Sequence, residues 1–213
     1  MLRVWGRRSA FNVKKVLWLI GELKLPHEHF SAGEQLGDLG GPGFWATKSH
    51  GRVPVIEDDT AVVWESQAIL RYIASRYGQP TLWPADELSR SRADRWMDWA
   101  HTALEQVFLT GDFWRFFRTP NDLQDWPTVG KEMARFADHL RLLNSVLAHS
   151  KFLVGDAFTL GDIPAGTALH RYFELDIKGP DIPMVERWYR LLQERPAFRE
   201  HVTLPLDGLL ERL

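Results

Sequence analysis

The sequence predicts an α/β unit followed by an all-helical one, and three observations carry the prediction. Strand-like runs stop after Trp64, a stretch rich in proline and acidic residues follows at 79–88, and beyond it every apolar stripe has helical spacing. With 213 residues, the chain is long enough for two cores.

Leu2–Trp5 reads as a short strand, and 12–23 as a helix with apolar residues at Val13, Val16, Leu17, Ile20 and Leu23. Pro26 interrupts, and His27–Phe30 reads as a second strand. The glycine-rich stretch 31–49 has no sustained period and reads as a surface loop. The runs 53–57 and 61–64, separated by Asp58-Asp59-Thr60, read as a hairpin, and 66–77 returns to helical spacing. The first unit is therefore βαβ then ββα, over 1–78. Pro80, Pro84 and Asp86-Glu87 mark 79–88 as a linker. In the second unit, 89–213, helices are expected over 90–117, 129–149, 162–173 and 184–194.

Composition narrows the function. Acidic residues number 28 against 26 basic ones, so the field is too weak to indicate nucleic acid or an anionic membrane as a partner. The longest apolar run, 16–20, is too short to span a bilayer, and the residues after Met1 lack a secretory pattern, so a cytoplasmic protein is expected. Cysteine is absent, which removes disulfides, thiolate metal sites and any nucleophilic thiol of the chain's own. Sulfur chemistry would need a sulfur from outside. Most of the ten tryptophans are expected to anchor the cores.

Four segments stand out. Gly6 to Val16 is a polar turn opening a helix directly after the first strand, where Ser9 or Asn12 can cap that helix or serve a ligand. In Arg52-Val53-Pro54-Val55, proline cannot donate to a ladder. A cis Val53–Pro54 bond would expose the backbone of Val53 to an extended peptide, although an ordinary edge-strand proline reads the same way. Trp64-Glu65-Ser66-Gln67-Ala68-Ile69 crosses from strand to helix. Ser66 there is an N-cap or a carboxylate ligand, and Glu65 a solvated charge or an ammonium acceptor. Phe158-Thr159-Leu160-Gly161-Asp162-Ile163 carries capping-box spacing flanked by a hydrophobic staple, a structural signal.

In their order and spacing these segments resemble the soluble glutathione transferase family over essentially the whole chain. The resemblance implies a thioredoxin-like first domain, a helical second domain that forms an electrophile pocket, and a homodimer. Glutathione would be the co-substrate, with no metal, and its thiol would be conjugated to a small hydrophobic electrophile. Glutathione-binding positions would be Arg52, Val53, Pro54, Glu65 and Ser66, with Lys48 and His50 as further candidates for the glycyl carboxylate. The family activates the thiol through tyrosine, serine, cysteine or an amide. The first turn here has neither tyrosine nor cysteine, so a bacterial, theta-like type is expected, with Ser9 as first choice and Asn12 as second. Trp114 and Arg118, in 113–120, match a segment of bacterial relatives that faces the electrophile.

Other readings carry less. His27 and His29 share a strand face, but no third ligand stands at a zinc spacing. The glycines of 37–43 lack the Lys-Ser/Thr ending of a phosphate loop. Dehalogenation, isomerisation and peroxide reduction are alternative reactions at the same site. A non-catalytic interaction module on the same scaffold is the alternative from another class.

Overall fold

The computed structural model describes residues 1–31, 52–59, 61–106, 125–175 and 178–204. The chain divides into two compact units, Met1–Trp83 joined by Pro196–Leu204, and Pro84–Arg195.

In the first unit the elements are β1 (Leu2–Trp5), α1 (Phe11–Glu22), β2 (His27–Phe30), β3 (Val55–Asp58), β4 (Ala61–Trp64), α2 (Ser66–Tyr77) and, from the end of the chain, a short helix Pro196–His201. The strands form one mixed sheet in the order β2-β1-β3-β4, with β1 parallel to β2 and antiparallel to β3, and β3 antiparallel to β4. A parallel pair needs a crossover, and α1 supplies it. This is the thioredoxin-like arrangement expected from the sequence. On β1, Leu2 and Val4 are buried while Arg3 points out and meets Glu28 of β2 at 3.3 Å and Glu57 of β3 at 3.5 Å. Arg3 is paired in register with both acids, so one exposed cation marks the alignment of three strands.

The apolar character of α1 extends around the helix, and every residue from Val13 to Ile20 is buried. Both α2 and the short terminal helix pack against it. Trp18 meets Phe198 edge-on at 4.8 Å. The terminal helix was not anticipated from the sequence, because six residues are too few to display a period. At the hairpin, Asp58 is 3% exposed and accepts hydrogen bonds from Tyr72 at 3.0 Å and Tyr77 at 2.6 Å, with Arg76 at 3.0 Å, which ties the sheet to α2.

The second unit holds α3 (Glu87–Trp99), running on into a π-helical turn at Ala100–Leu104, then α4 (Trp126–Leu147), α5 (Asp162–Glu174) and α6 (Pro183–Gln193). Numbering the terminal helix in sequence makes it α7. Helices α3 and α4 start three residues earlier than the apolar stripes imply. Asp86 caps α3 through Ser89 N–H at 2.8 Å, and Asp125 caps α4 through Thr128 N–H at 3.3 Å. The expected helix over 90–117 is seen through Gln106, and its remainder lies outside the described residues.

At the head of α5, whose N-cap is Gly161, one arm of the expected capping box forms, from Asp162 back to Thr159. The Asp162 carboxylate accepts from the Thr159 N–H at 2.9 Å, the Leu153 N–H at 3.0 Å and the Trp188 indole at 2.9 Å, while the Thr159 hydroxyl accepts from the Gly161 N–H at 3.3 Å. Phe158 lies edge-on to Phe152 at 6.0 Å and carries the Arg195 guanidinium 3.9 Å from its ring centre.

Asp162 has 0% exposure, and burial pushes its pKa up to about 6 against the opposing pull of its donors. The folded protein therefore holds this proton more tightly than the unfolded chain, whose value is 3.8. The residue's contribution to stability is greatest below that value and falls as pH rises through the window up to about 6, by about 3 kcal/mol. Urea denaturation of wild type and Asp162→Asn across this window checks it: the wild-type advantage shrinks as pH rises. Asp162→Ala, which strands four donors, is expected to cost about 3–5 kcal/mol at the acid end of that range and correspondingly less toward its upper end.

Candidate functional site

Strand register gathers three segments at one end of the sheet. Trp5, the last residue of β1, pairs with Val55, the first of β3, and Val55 pairs with Trp64, the last of β4. The β1–α1 turn, the Arg52-Val53-Pro54 entry and the Glu65-Ser66 exit therefore emerge side by side. Trp5, Val55, Val53 and Phe30 form one apolar cluster beneath them, with Trp5 and Phe30 stacked at 5.4 Å. The Val53–Pro54 bond is cis, as the peptide-pairing reading requires.

Gly6 makes the close approach possible. Its φ is +142°, and a Cβ there would collide with Val13 and stand 3.1 Å from Val53 Cβ. Both of its backbone groups are held: Gly6 N–H donates to Phe30 O at 3.0 Å, and His29 Nε2 donates to Gly6 O at 2.7 Å. Burial, aided by Arg8, keeps the His29 imidazole below its ordinary pKa despite that hydrogen bond. His27 Nδ1 bonds the Leu25 carbonyl at 3.1 Å, so both histidines of β2 engage backbone.

Neither Ser9 nor Asn12 caps α1. The N-cap is Ala10, which makes no side-chain bond, and the first turn carries no acidic residue. Ser9 is exposed in the turn. Asn12 is half-buried, and its Oδ1 finds no hydrogen-bond partner among the described residues. Both polar groups thus stand at a helix start whose first N–H groups lack intrahelical acceptors.

At the β4–α2 junction Glu65 is exposed with φ +66°, and it forms the N-cap of α2 without a side-chain bond. A non-glycine residue held there costs about 1–3 kcal/mol, a strain that marks functional positions. Ser66 begins α2 and is 2% exposed. Sequence reasoning passed over Gln67, whose amide oxygen and nitrogen are both buried without a partner among the described residues. Its only signal was a long polar side chain within the segment 64–69. Arg52 is exposed, next to Val53 in the chain. Lys48, His50, Trp114 and Arg118 lie outside the described residues.

Fold and sheet end define a class: a two-unit protein whose thioredoxin-like domain presents a cis-proline edge of the kind expected for glutathione-handling transferases. Comparison with known proteins agrees. The N-terminal domain of glutathione S-transferases matches residues 6–81 and the C-terminal domain residues 106–196. Glutathione S-transferase GstB of Escherichia coli (strain K12) is 36% identical over 209 residues, covering 97% of this chain and 100% of the relative. Glutathione S-transferase 3 of Zea mays is 28% identical over 96% of this chain and 95% of its own. The theta class glutathione S-transferase of Xanthomonas axonopodis pv. citri, solved with glutathione bound, superposes with a TM-score of 0.85 at 34% identity, covering 96% of this chain and 98% of that one. The chain belongs to the glutathione S-transferase family. Among the described residues no helix is long and apolar enough to cross a membrane.

Gly6→Ala tests the sheet end directly. The methyl group meets Val13 and Val53 in a backbone conformation alanine resists, so a loss of about 2 kcal/mol or more is expected, read as a lowered denaturant midpoint. Gly130→Ala, where an added Cβ has nothing within 4 Å, should be neutral or stabilising.

Proposed function

We propose that this transferase holds glutathione across the sheet end and activates its thiol in the β1–α1 turn for attack on a small hydrophobic electrophile. The register Trp5–Val55–Trp64, with the cis bond between Val53 and Pro54, carries the reading, because it aligns the Val53 backbone with a helix start. The cysteinyl part of the tripeptide pairs with the Val53 backbone beside Pro54. Ser66 and the N–H groups opening α2 take the γ-glutamyl carboxylate, and Glu65 takes the ammonium. The strained backbone of Glu65 is then the cost of presenting one carboxylate to one ammonium. Arg52, with Lys48 and His50 as further candidates, serves the glycyl carboxylate. The helical domain supplies the electrophile pocket, with Trp114 as a wall and Arg118 as an anion contact. A bacterial theta-like type, a cytoplasmic homodimer and a role in detoxification complete the reading.

Only the thiolate attacks, and a free thiol titrates near ~8.5. A helix N-terminus supplies roughly 0.3–1 kcal/mol and a hydrogen bond to a charge roughly 1.5–3 kcal/mol, against about 1.36 kcal/mol per pKa unit. Together they move the thiol by about one to three units, which ionises from about a quarter to nearly all of it at neutral pH. The donor is the Ser9 hydroxyl, and the Asn12 amide is the second candidate. Neither is engaged in capping α1, which supports both. The thiolate adds to the electrophilic carbon and expels the leaving group, while its proton passes to solvent.

An ultraviolet titration of bound glutathione decides the assignment. In wild type the thiol pKa should fall about one to three units below its free value. Ser9→Ala should abolish most of that shift and Asn12→Ala little of it. The reverse pattern transfers the role to Asn12, and an unshifted wild-type thiol refutes thiol activation.

A further inference from the structure

Helix α1 carries both candidate activating groups in or beside its first turn, yet no side chain caps that turn. Its N-cap makes no side-chain bond and it has no acidic residue to complement the helix dipole. Its orientation must come from packing, and one of the groups that packs is a lysine. Lys14, in the turn next to Ser9 and Asn12, is 2% exposed, and its ammonium donates to the Val202 carbonyl at 2.9 Å and the Leu204 carbonyl at 3.1 Å. Those carbonyls close the C-terminal end of α7, where unpaired oxygens and the helix dipole favour a cation. The same short helix touches α1 at two further points. Phe198 meets Trp18, and a Cβ at Gly21 would stand 2.9 Å from both Ala197 and His201. Helix α7 thus runs along α1 from its last turn to its first, and Lys14 is the contact nearest the reactive end.

A leucine at position 14 would fill the same space without burying a charge. Burying an ammonium costs several kcal/mol unless hydrogen bonds satisfy it, so cohesion alone does not explain the choice. Direction does. Apolar contacts let a helix rotate or slide by small amounts, whereas two hydrogen bonds from one ammonium to two fixed carbonyls do not. We propose that Lys14 is a positioning residue for thiol activation: by bonding the end of α7 it fixes the rotation of α1, and with it the aim of Ser9 and Asn12 at the glutathione sulfur. The inference rests on the thiol-activating role of this turn, and it makes the last helix of the chain part of the machinery of the first.

The test compares wild type, Lys14→Met, Lys14→Gln and Lys14→Arg in the full-length protein. It reads the thiol pKa of bound glutathione by ultraviolet titration, glutathione affinity by calorimetry, and turnover against pH with a chromogenic aryl halide. Lys14→Met should raise the bound-thiol pKa by about one unit, a roughly tenfold loss of thiolate and of turnover near neutral pH. That deficit should close as pH rises. Affinity should change less than about threefold, because Val53, Glu65 and Ser66 are untouched. Arginine, which can reach the same carbonyls, should restore most of the shift. Should the methionine variant not fold, Lys14→Gln, one atom shorter but still a donor, is expected to give an intermediate shift. A wild-type thiol pKa in whichever of these two variants folds overturns the proposal, as does a loss of turnover that is the same at every pH. An unshifted thiol in the wild type itself refutes instead the activation reading on which the proposal stands.

Discussion

The pairing of Val55 with Trp5 on one side and Trp64 on the other is the constraint from which the site follows. It brings the ends of β1 and β4 and the beginning of β3 to the same level, so three loops distant in sequence become neighbours. A slip by one residue in either ladder would turn the buried face of a strand to solvent. Arg3, held between Glu28 and Glu57, resists such a slip on the exposed face, as Val4 and Ile56 do within the core. Since the register is secured by burial, the loops at the sheet end are free to carry polar chemistry.

Much of this was legible in the sequence, for physical reasons. Strand β1, strand β2 and helix α2 could be bounded because proline, glycine and a change of period punctuate them. The strand leading from Val53 begins only at Val55, because a cis-proline cannot join the ladder. Helices α3 and α4 were read three residues short, since their caps are aspartates outside the apolar stripe. Helix α7 was not visible at all, and with it went any expectation that residues near the C-terminus complete the first unit. The Glu65-Ser66 pair was readable because a strand ending at a helix start is a local event. That Glu65 sits at positive φ, and that Gln67 buries an unmatched amide, depends on tertiary packing, which no single sequence displays.

Charge in the first unit is placed where geometry must be exact to a fraction of a turn. Lys14 is buried on α1 and Asp58 beneath the hairpin, each engaged by specific partners. Uncharged side chains would have filled these places at lower desolvation cost. What they would not supply is a preferred direction. The second unit uses the same device at Asp162, where a single carboxylate organises Leu153, Thr159 and Trp188 around one helix start.

The left-handed twist of the chain at Glu65 has an evolutionary side. Glycine would relax that residue, so a screen that rewarded heat resistance alone would be drawn toward replacing it. The winners would be sturdier proteins without the carboxylate proposed above to hold the ammonium. A side chain held at a position that favours glycine trades endurance for whatever its carboxylate does.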